Sequence, residues 1–190
     1  MSDTVSALGG RTFAGFVRVE EIGPTGMISL RGDLADPAMA KAVKAAVGLG
    51  LPGPRGMVSA DGRAAGWMSP DEVLLLMPYG AVPQALAVLT KGLMGKHYLA
   101  TDVSDARAVF RIRGAGVRDV LAKLTPTDLS PAAFTTGMLR RTRLAQVAAA
   151  FWISGEDEFT IVSFRSVAEY VFGLLEISAT KGGEVGFHGN

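Results

Sequence analysis

The sequence contains no cysteine and only two histidines, His97 and His188, among its 190 residues. The absence of cysteine excludes a thiolate nucleophile, an iron–sulfur cluster held by cysteines and every zinc site built on Cys ligands. The two histidines are far apart in sequence, so their spacing supports neither a histidine-rich metal site nor a catalytic triad. No apolar run approaches the roughly 20 residues that span a bilayer, and we therefore expect no membrane partner.

An excess of charge of either sign is also lacking. Lys and Arg total 19 against 18 Asp and Glu, which leaves a net charge of +1. A balanced charge gives no electrostatic reason to expect nucleic acid as a partner. The first ten residues have no cationic start followed by an apolar stretch, so they do not resemble a secretory signal. We expect a cytoplasmic protein whose partner is another protein or a small molecule.

Glycine is abundant, with 24 residues, well above the roughly 7% of typical proteins, which predicts many tight turns. Residues 1–12 and 181–190 are rich in glycine and polar residues, and we expect them to be flexible tails. Between them, strands are predicted at 16–20, 27–31, around Trp67 and at 73–77. Helices are predicted from Asp36-Pro37 to near Gly48 and from Val82 to Leu93, where apolar residues recur at helical spacing.

The second half of the chain repeats this order of elements. The segment 67–72 (WMSPDE) matches 152–157 (WISGED), and 28–32 (ISLRG) matches 110–114 (FRIRG). These matches predict an α+β fold made by pseudo-twofold duplication of a β-α-β-β-α unit. We expect a single duplicated domain over 13–180, with copies at about 13–95 and 98–180 that share one core. An exchange of strands between the halves is left open.

The densest positive patch is Arg140, Arg141 and Arg143, at the start of a predicted strand. Alternation along a strand places Arg141 and Arg143 on one face and Arg140 on the other. Paired guanidinium groups suit a carboxylate, a phosphate or an acidic protein surface. These three arginines are our candidate anion or partner contacts, and a solvated strand end is the alternative.

Other motifs are assigned structural roles. Gly114-Ala-Gly116 fails as a dinucleotide fingerprint because Asp119 stands at the third glycine position, so a tight turn is predicted. Asp102 and Asp105 offer too few oxygens for calcium and predict a polar turn.

Two further patterns concern helix ends and aromatic anchors. Ser166 and Glu169 match a capping box before an apolar helical run that includes Tyr170 and Leu174. Trp67 and Trp152 occupy equivalent positions in the two copies and are interpreted as core or interface anchors.

Several segments together resemble a known family, the gamma subunits of heterotetrameric sarcosine oxidase. They are 67–72 (WMSPDE), 102–107 (DVSDAR), 110–121 (FRIRGAGVRDVL), 127–134 (TDLSPAAF) with Gly137, and 164–166 (FRS). The resemblance extends from about Gly26 to Ala179. That family is in turn similar to the tetrahydrofolate-binding domain of glycine-cleavage aminomethyltransferases, whose duplicated architecture agrees with the repeat.

The resemblance implies a non-catalytic subunit in a complex with alpha, beta and delta subunits. Such a complex oxidises sarcosine to glycine, makes hydrogen peroxide and forms 5,10-methylenetetrahydrofolate. FAD, FMN, NAD, zinc and tetrahydrofolate are then expected on the other subunits, with no cofactor, metal or catalytic residue in this chain. A stable subunit interface should leave an exposed apolar patch on the isolated chain.

The alternative is a stand-alone tetrahydrofolate-binding protein or an aminomethyltransferase-like enzyme. It requires a carboxylate for the pterin and a cation for the glutamate tail, for which Arg140 or Arg141 is available. The cysteine signature of the related iron–sulfur maintenance proteins cannot occur in this sequence.

Overall fold

The computed structural model describes residues 4–187, which form two antiparallel sheets and four α-helices. The strands are β1 (Thr12–Ala14), β2 (Arg18–Ile22), β3 (Thr25–Gly32), β4 (Met57–Ala60), β5 (Arg63–Ser69), β6 (Glu72–Pro78), β7 (Tyr98–Asp102), β8 (Arg107–Arg113), β9 (Leu139–Leu144), β10 (Val147–Gly155) and β11 (Glu158–Phe164). The helices are α1 (Pro37–Val47), α2 (Val82–Gly92), α3 (Val117–Ala122) and α4 (Ala168–Ser178). None of these helices has the length and apolar character needed to cross a membrane. The predicted α+β class is confirmed.

The sheets belong to two compact units that do not coincide with the two sequence copies. One unit comprises the described residues up to Pro24 together with those from Asp105 onward, and its sheet has the order β1-β2-β8-β11-β10-β9. We call it the six-stranded unit. The five-stranded unit is Thr25–Ser104, with the order β4-β5-β6-β3-β7. Strand β2 of the first copy therefore pairs with β8 of the second, and β7 of the second pairs with β3 of the first. This is the strand exchange that the sequence left open.

Helix α1 forms where its local signals place it. Asp36 accepts a hydrogen bond from the Ala38 backbone nitrogen at 2.8 Å, Pro37 occupies the first helical position, and Gly48 ends the helix at a φ of 77°. Aspartate is a preferred N-cap residue, and glycine in the left-handed region is a preferred residue just after the last helical turn. The helix predicted in this segment is confirmed.

The buried apolar residues form two clusters, one in each unit, where one shared core was expected. The exchange of strands explains the difference, because it provides sheets of five and six strands that each cover their own helices. The cluster of the five-stranded unit is aliphatic, and its buried members are Ile28, Leu30, Met39, Ala42, Val43, Val47, Ala65, Val73, Leu75, Met77, Val82, Ala85, Leu89 and Leu93.

The cluster of the six-stranded unit is instead rich in phenylalanine. The Phe134 ring centroid lies 5.5 Å from that of Phe151 and 5.7 Å from that of Phe159, and Phe110 lies 6.4 Å from Phe172. All five rings are fully buried. Phe134 belongs to the irregular segment between α3 and β9. A side chain from a loop is therefore part of this core.

Arg118 on α3 fixes that irregular segment. Its Nη1 donates to the backbone oxygens of Leu129 at 2.6 Å and Phe134 at 3.1 Å. Hydrogen bonds from a charged donor are stronger than neutral ones. The bonds therefore stabilise the loop conformation that inserts Phe134.

The described part of the N-terminal segment contacts the six-stranded unit. The buried Glu21 carboxylate accepts bonds from Ser6 Oγ at 2.8 Å and the Gly10 backbone nitrogen at 2.7 Å. Arg165 Nη2 donates to the backbone oxygens of Val5 and Ser6. These long-range contacts involve residues that were expected to lie in a tail.

The predicted capping box before α4 is wrong. A 3-10 turn at Arg165–Val167 precedes the helix, and no side chain caps its first turn. Ser166 lies inside that turn rather than at the cap position. Glu169 instead accepts a hydrogen bond from Arg11 Nη1 at 2.6 Å.

The two tryptophans lie on equivalent hairpins. Trp152 on β10 is buried and Trp67 on β5 is half-buried. A β-bulge follows each of them, between Trp67 and Ser69 in one copy and between Ile153 and Gly155 in the other. The repeated sequence motif therefore coincides with a β-bulge in each hairpin.

Candidate partner-binding surface

The arginine group predicted to contact an anion or a partner lies on β9. This strand ends the order of the six-stranded sheet and pairs with β10 on one side. Arg141 is opposite Ala150, and Arg143 is opposite Ala148. The candidate residues therefore lie on an edge strand.

The structure separates Arg140 from the other two arginines, as the alternation predicts. Arg141 and Arg143 are exposed, whereas Arg140 is half-buried with its guanidinium 5.3 Å from the Phe134 ring centroid. Arg140 also donates to the Leu139 backbone oxygen at 3.1 Å. A cation over an aromatic face gains electrostatic energy from the ring quadrupole. Arg140 thus packs on the core, and Arg141 and Arg143 remain available to a ligand.

Arg141 and Arg143 have no carboxylate within ion-pairing distance among residues 4–187. Elsewhere in the same unit, Arg11 pairs with Glu169 and Glu176. Two uncompensated cations two positions apart on one strand give this edge a local positive charge.

A second exposed feature lies on helix α4. One side of this helix carries four residues separated by three, one and three positions, namely Tyr170, Gly173, Leu174 and Ile177. Ile177 is 76% exposed and Tyr170 is 44% exposed. The buried residues Val171, Phe172 and Leu175 lie on the other side. On the exposed side, Gly173 and Leu174 are half-buried. We call the four residues of this side the apolar α4 face.

The charges beside the apolar α4 face are paired with each other. Arg11 contacts Glu169 at 2.6 Å and Glu176 at 2.9 Å, and its guanidinium lies 4.5 Å from the Phe172 ring centroid. The pairing reduces the cost of covering this surface with an apolar partner. This face therefore suits the burial of apolar surface.

The sequence did not reveal this face, because Tyr170 and Leu174 were placed in one apolar helical run without a distinction between a buried and an exposed side. The composition of helix α4 is the sequence feature that indicates such a face. Helix α4 is apolar on nearly every side, which is typical of a helix covered on more than one side. The exposed sides of α1 carry Lys41 and Lys44 instead.

The remaining motifs have the structural roles predicted for them. Asp102 Oδ1 accepts bonds from the Ser104 backbone nitrogen at 2.9 Å and from Ser104 Oγ, and Ser104 Oγ accepts from Met27 at 2.9 Å. A Cβ added at Gly116 would lie 2.6 Å from the Phe16 ring, so close packing explains that glycine. His97 is exposed, and His188 lies outside the described residues.

A recess of a size that suits a small ligand lies in each unit. The recess in the five-stranded unit is about 430 Å³ and is lined by the end of α1, the β4–β5 turn and α2, with Asp61, Arg63 and Gln84 as its polar side chains. Arg63 already donates to the Ala46 backbone oxygen at 3.4 Å. The recess in the six-stranded unit is about 360 Å³ and lies between α3 and residues 185–187. Over residues 4–187, no three His, Asp or Glu side chains are grouped to hold a metal ion.

This fold defines a class, the α+β fold found in an aminomethyltransferase. The crystal structure of glycine cleavage system aminomethyltransferase T from Bartonella henselae superposes with a TM-score of 0.61 at 15% identity. The match covers 85% of this chain and 46% of that chain. The expected folate-binding-domain-like architecture is confirmed.

The chain belongs to the sarcosine oxidase, gamma subunit family, whose model matches residues 31–181. It is 33% identical to sarcosine oxidase subunit gamma from Corynebacterium sp. strain P-1, over 83% of this chain and 77% of that protein. It is 32% identical to the Arthrobacter sp. subunit gamma, over 78% and 73%. A chain of heterotetrameric sarcosine oxidase from Corynebacterium sp. U-96, solved with pyrrole 2-carboxylate, superposes with a TM-score of 0.79 at 30% identity, over 88% of this chain and 87% of that chain.

Proposed function

We propose that this chain is the gamma subunit of a heterotetrameric sarcosine oxidase and that it contributes structure rather than catalytic groups. The observation that carries the proposal is the match to the heterotetrameric enzyme along 88% of the chain at a TM-score of 0.79. The match extends over 87% of that chain as well, so the likeness covers a whole subunit rather than a fragment of one.

The buried polar side chains support a structural role. Glu72, which is buried on β6, accepts bonds from Ser29 Oγ at 2.7 Å and Arg31 Nη2 at 2.8 Å. Glu21 holds the N-terminal segment and Ser104 holds the end of β7. Buried polar groups that are bonded in this way stabilise the strands on which they lie.

The partners are the alpha, beta and delta subunits, in a cytoplasmic complex that oxidises sarcosine to glycine and forms hydrogen peroxide. FAD, FMN, NAD, zinc and tetrahydrofolate belong to those subunits. The apolar α4 face supports this assignment, because a stable interface buries more than about 1,000 Å² and centres on apolar residues.

Co-expression of the tagged chain with its neighbouring genes tests the proposal. We expect three other chains to co-purify in a yellow complex that forms hydrogen peroxide from sarcosine, whereas the purified chain alone oxidises no sarcosine. A colourless chain that purifies alone and binds tetrahydrofolate at micromolar concentration would instead identify a stand-alone folate protein.

A pair of matched variants tests the apolar α4 face. Ile177 is 76% exposed in the six-stranded unit and Met94 is 79% exposed in the five-stranded unit. Ile177→Glu should reduce the recovery of the other subunits at least tenfold, and Met94→Glu should leave it unchanged. Equal recovery with both variants would remove the α4 face from the interface.

A further inference from the structure

The edge of β9 that faces away from β10 has unpaired backbone groups at two positions. It is free only as far as Arg143, because the Ala145 backbone nitrogen donates to the Leu124 oxygen at 2.7 Å and Thr125 Oγ1 lies 3.4 Å from Thr142 Oγ1. Strands β9 and β10 are joined by a two-residue turn, with Leu144 opposite Val147. In such a hairpin the closing pair is hydrogen-bonded and the pairs alternate from there. The N–H and C=O groups of Arg141 and Arg143 consequently point away from β10, and no described residue bonds to them.

The same two residues have exposed side chains without an ion pair, as described above. Side chains at alternate positions of a strand project from one face and are spaced by roughly 7 Å. The edge therefore presents two backbone donor–acceptor pairs and, beside them, two arginine side chains whose Cα atoms are roughly 7 Å apart.

The charge on this edge selects the kind of strand that can pair with it. A second copy of this chain would place arginines against arginines, and like charges on neighbouring strands are destabilising. A strand with carboxylates at alternate positions would instead form charge-assisted hydrogen bonds with both guanidinium groups.

We propose that β9 accepts an extended acidic segment of another subunit as an added strand. The segment has Asp or Glu at two alternate positions, so that one carboxylate faces Arg141 and the other faces Arg143. Backbone hydrogen bonds give this mode of recognition its affinity, and the side chains give its specificity. The proposal rests on the proposed function, since it requires the chain to be part of a complex.

Charge reversal in the co-expressed complex tests the side-chain part of the proposal. The variant Arg141→Glu/Arg143→Glu should weaken assembly at least tenfold, with the loss growing smaller as NaCl is raised from 50 to 500 mM. The control Lys41→Glu/Arg55→Glu changes the net charge equally at exposed residues of the five-stranded unit. It should assemble like the unchanged chain.

Hydrogen exchange tests the added strand itself. The amides of Arg141 and Arg143 should exchange rapidly in the isolated chain and at least tenfold more slowly in the complex, whereas the Thr142 amide should be protected in both. Unchanged exchange at Arg141 and Arg143 on assembly, or normal assembly of the charge-reversal variant, overturns the proposal. If the unchanged chain recovers no other subunit, the proposed function fails and this proposal fails with it.

Discussion

The two units contain similar elements but build their cores from different side chains. The five-stranded unit packs aliphatic residues between a sheet and two helices of 11 residues each. The six-stranded unit packs five phenylalanines, and its helix α3 has only six residues. Three of these rings, from β10, β11 and the loop before β9, pack against one another. Duplication of a sequence pattern therefore preserves the order of elements more closely than the composition of the core.

The arginines follow the same division. Ten of the 13 arginines lie in the six-stranded unit. Four of them place the guanidinium against an aromatic ring, namely Arg11, Arg107, Arg118 and Arg140. Aromatic cores offer ring faces at their margins, and arginine is the cation that stacks on them most often. In this protein the aromatic unit also contains both proposed partner contacts, the apolar α4 face and the edge of β9.

The largest loss of stability is expected when the Phe134 ring is removed from the core of the six-stranded unit. Phe134→Ala should lower the free energy of unfolding by about 3–5 kcal/mol, as is typical of truncating a buried ring. The measurement is urea denaturation. Phe187→Ala, which removes a ring that is 78% exposed, should change stability by less than about 0.5 kcal/mol. A cost below about 1 kcal/mol for Phe134→Ala would mean that the loop side chain is dispensable.

The next prediction concerns the attachment of that loop to α3. Arg118→Met should cost about 2–3 kcal/mol in urea denaturation, because two backbone oxygens lose a charged donor. The double variant with Phe134→Ala should cost less than the sum, because both residues stabilise one segment. Strict additivity would show that the arginine and the ring act independently.

A smaller effect is expected at Glu21, where the N-terminal segment joins the six-stranded unit. Glu21→Gln keeps the shape but removes the charge that accepts from Ser6 and Gly10, so we expect a loss of about 1–2 kcal/mol. Hydrogen exchange at the Gly10 amide should accelerate while the amides of β8 remain protected. Acceleration in both regions would indicate a general loss of the fold instead of a local release.

The smallest effect is a pH dependence in the five-stranded unit. The hydrogen bonds from Lys96 and from the Ala38 backbone nitrogen lower the pKa of Asp36 below its ordinary value of 3.8. A carboxyl whose folded pKa is lowered stabilises the fold above its unfolded pKa and loses that contribution as the pH falls through the folded value. Stability should therefore decline below about pH 4, and Asp36→Asn should reduce this decline. An NMR titration that finds an ordinary pKa for Asp36 would contradict the prediction.

The features that could be predicted from the sequence are those encoded locally. Asp36, Pro37 and Gly48 define α1 by themselves, and strand periodicity separates Arg140 from Arg141 and Arg143. The division into two cores could not be predicted, because it depends on which strands pair across the chain. The capping box failed for the same reason, since Glu169 pairs with Arg11, 158 residues away in sequence.

The candidate surface was predictable in part. The residue types of β9 indicated an anion or partner contact, whereas its position at the sheet edge emerges only from the strand order. The apolar α4 face was missed because an apolar helix residue is assigned to the core by default. Only the exposed fractions of Tyr170 and Ile177 distinguish the two sides of that helix.

The exchange of β2 and β7 has a consequence for the order of events on the ribosome. Thr25–Ser104 is continuous in sequence, so the five-stranded unit can complete its sheet while synthesis continues. Strand β2 emerges earlier but must wait for β8, since Arg18 pairs with Arg113. At about 5–20 residues per second, that wait lasts on the order of 5–20 s. Strand β2 can therefore pair only with β1 until β8 is synthesised, and during this interval a chaperone or a neighbouring nascent chain has access to its other edge.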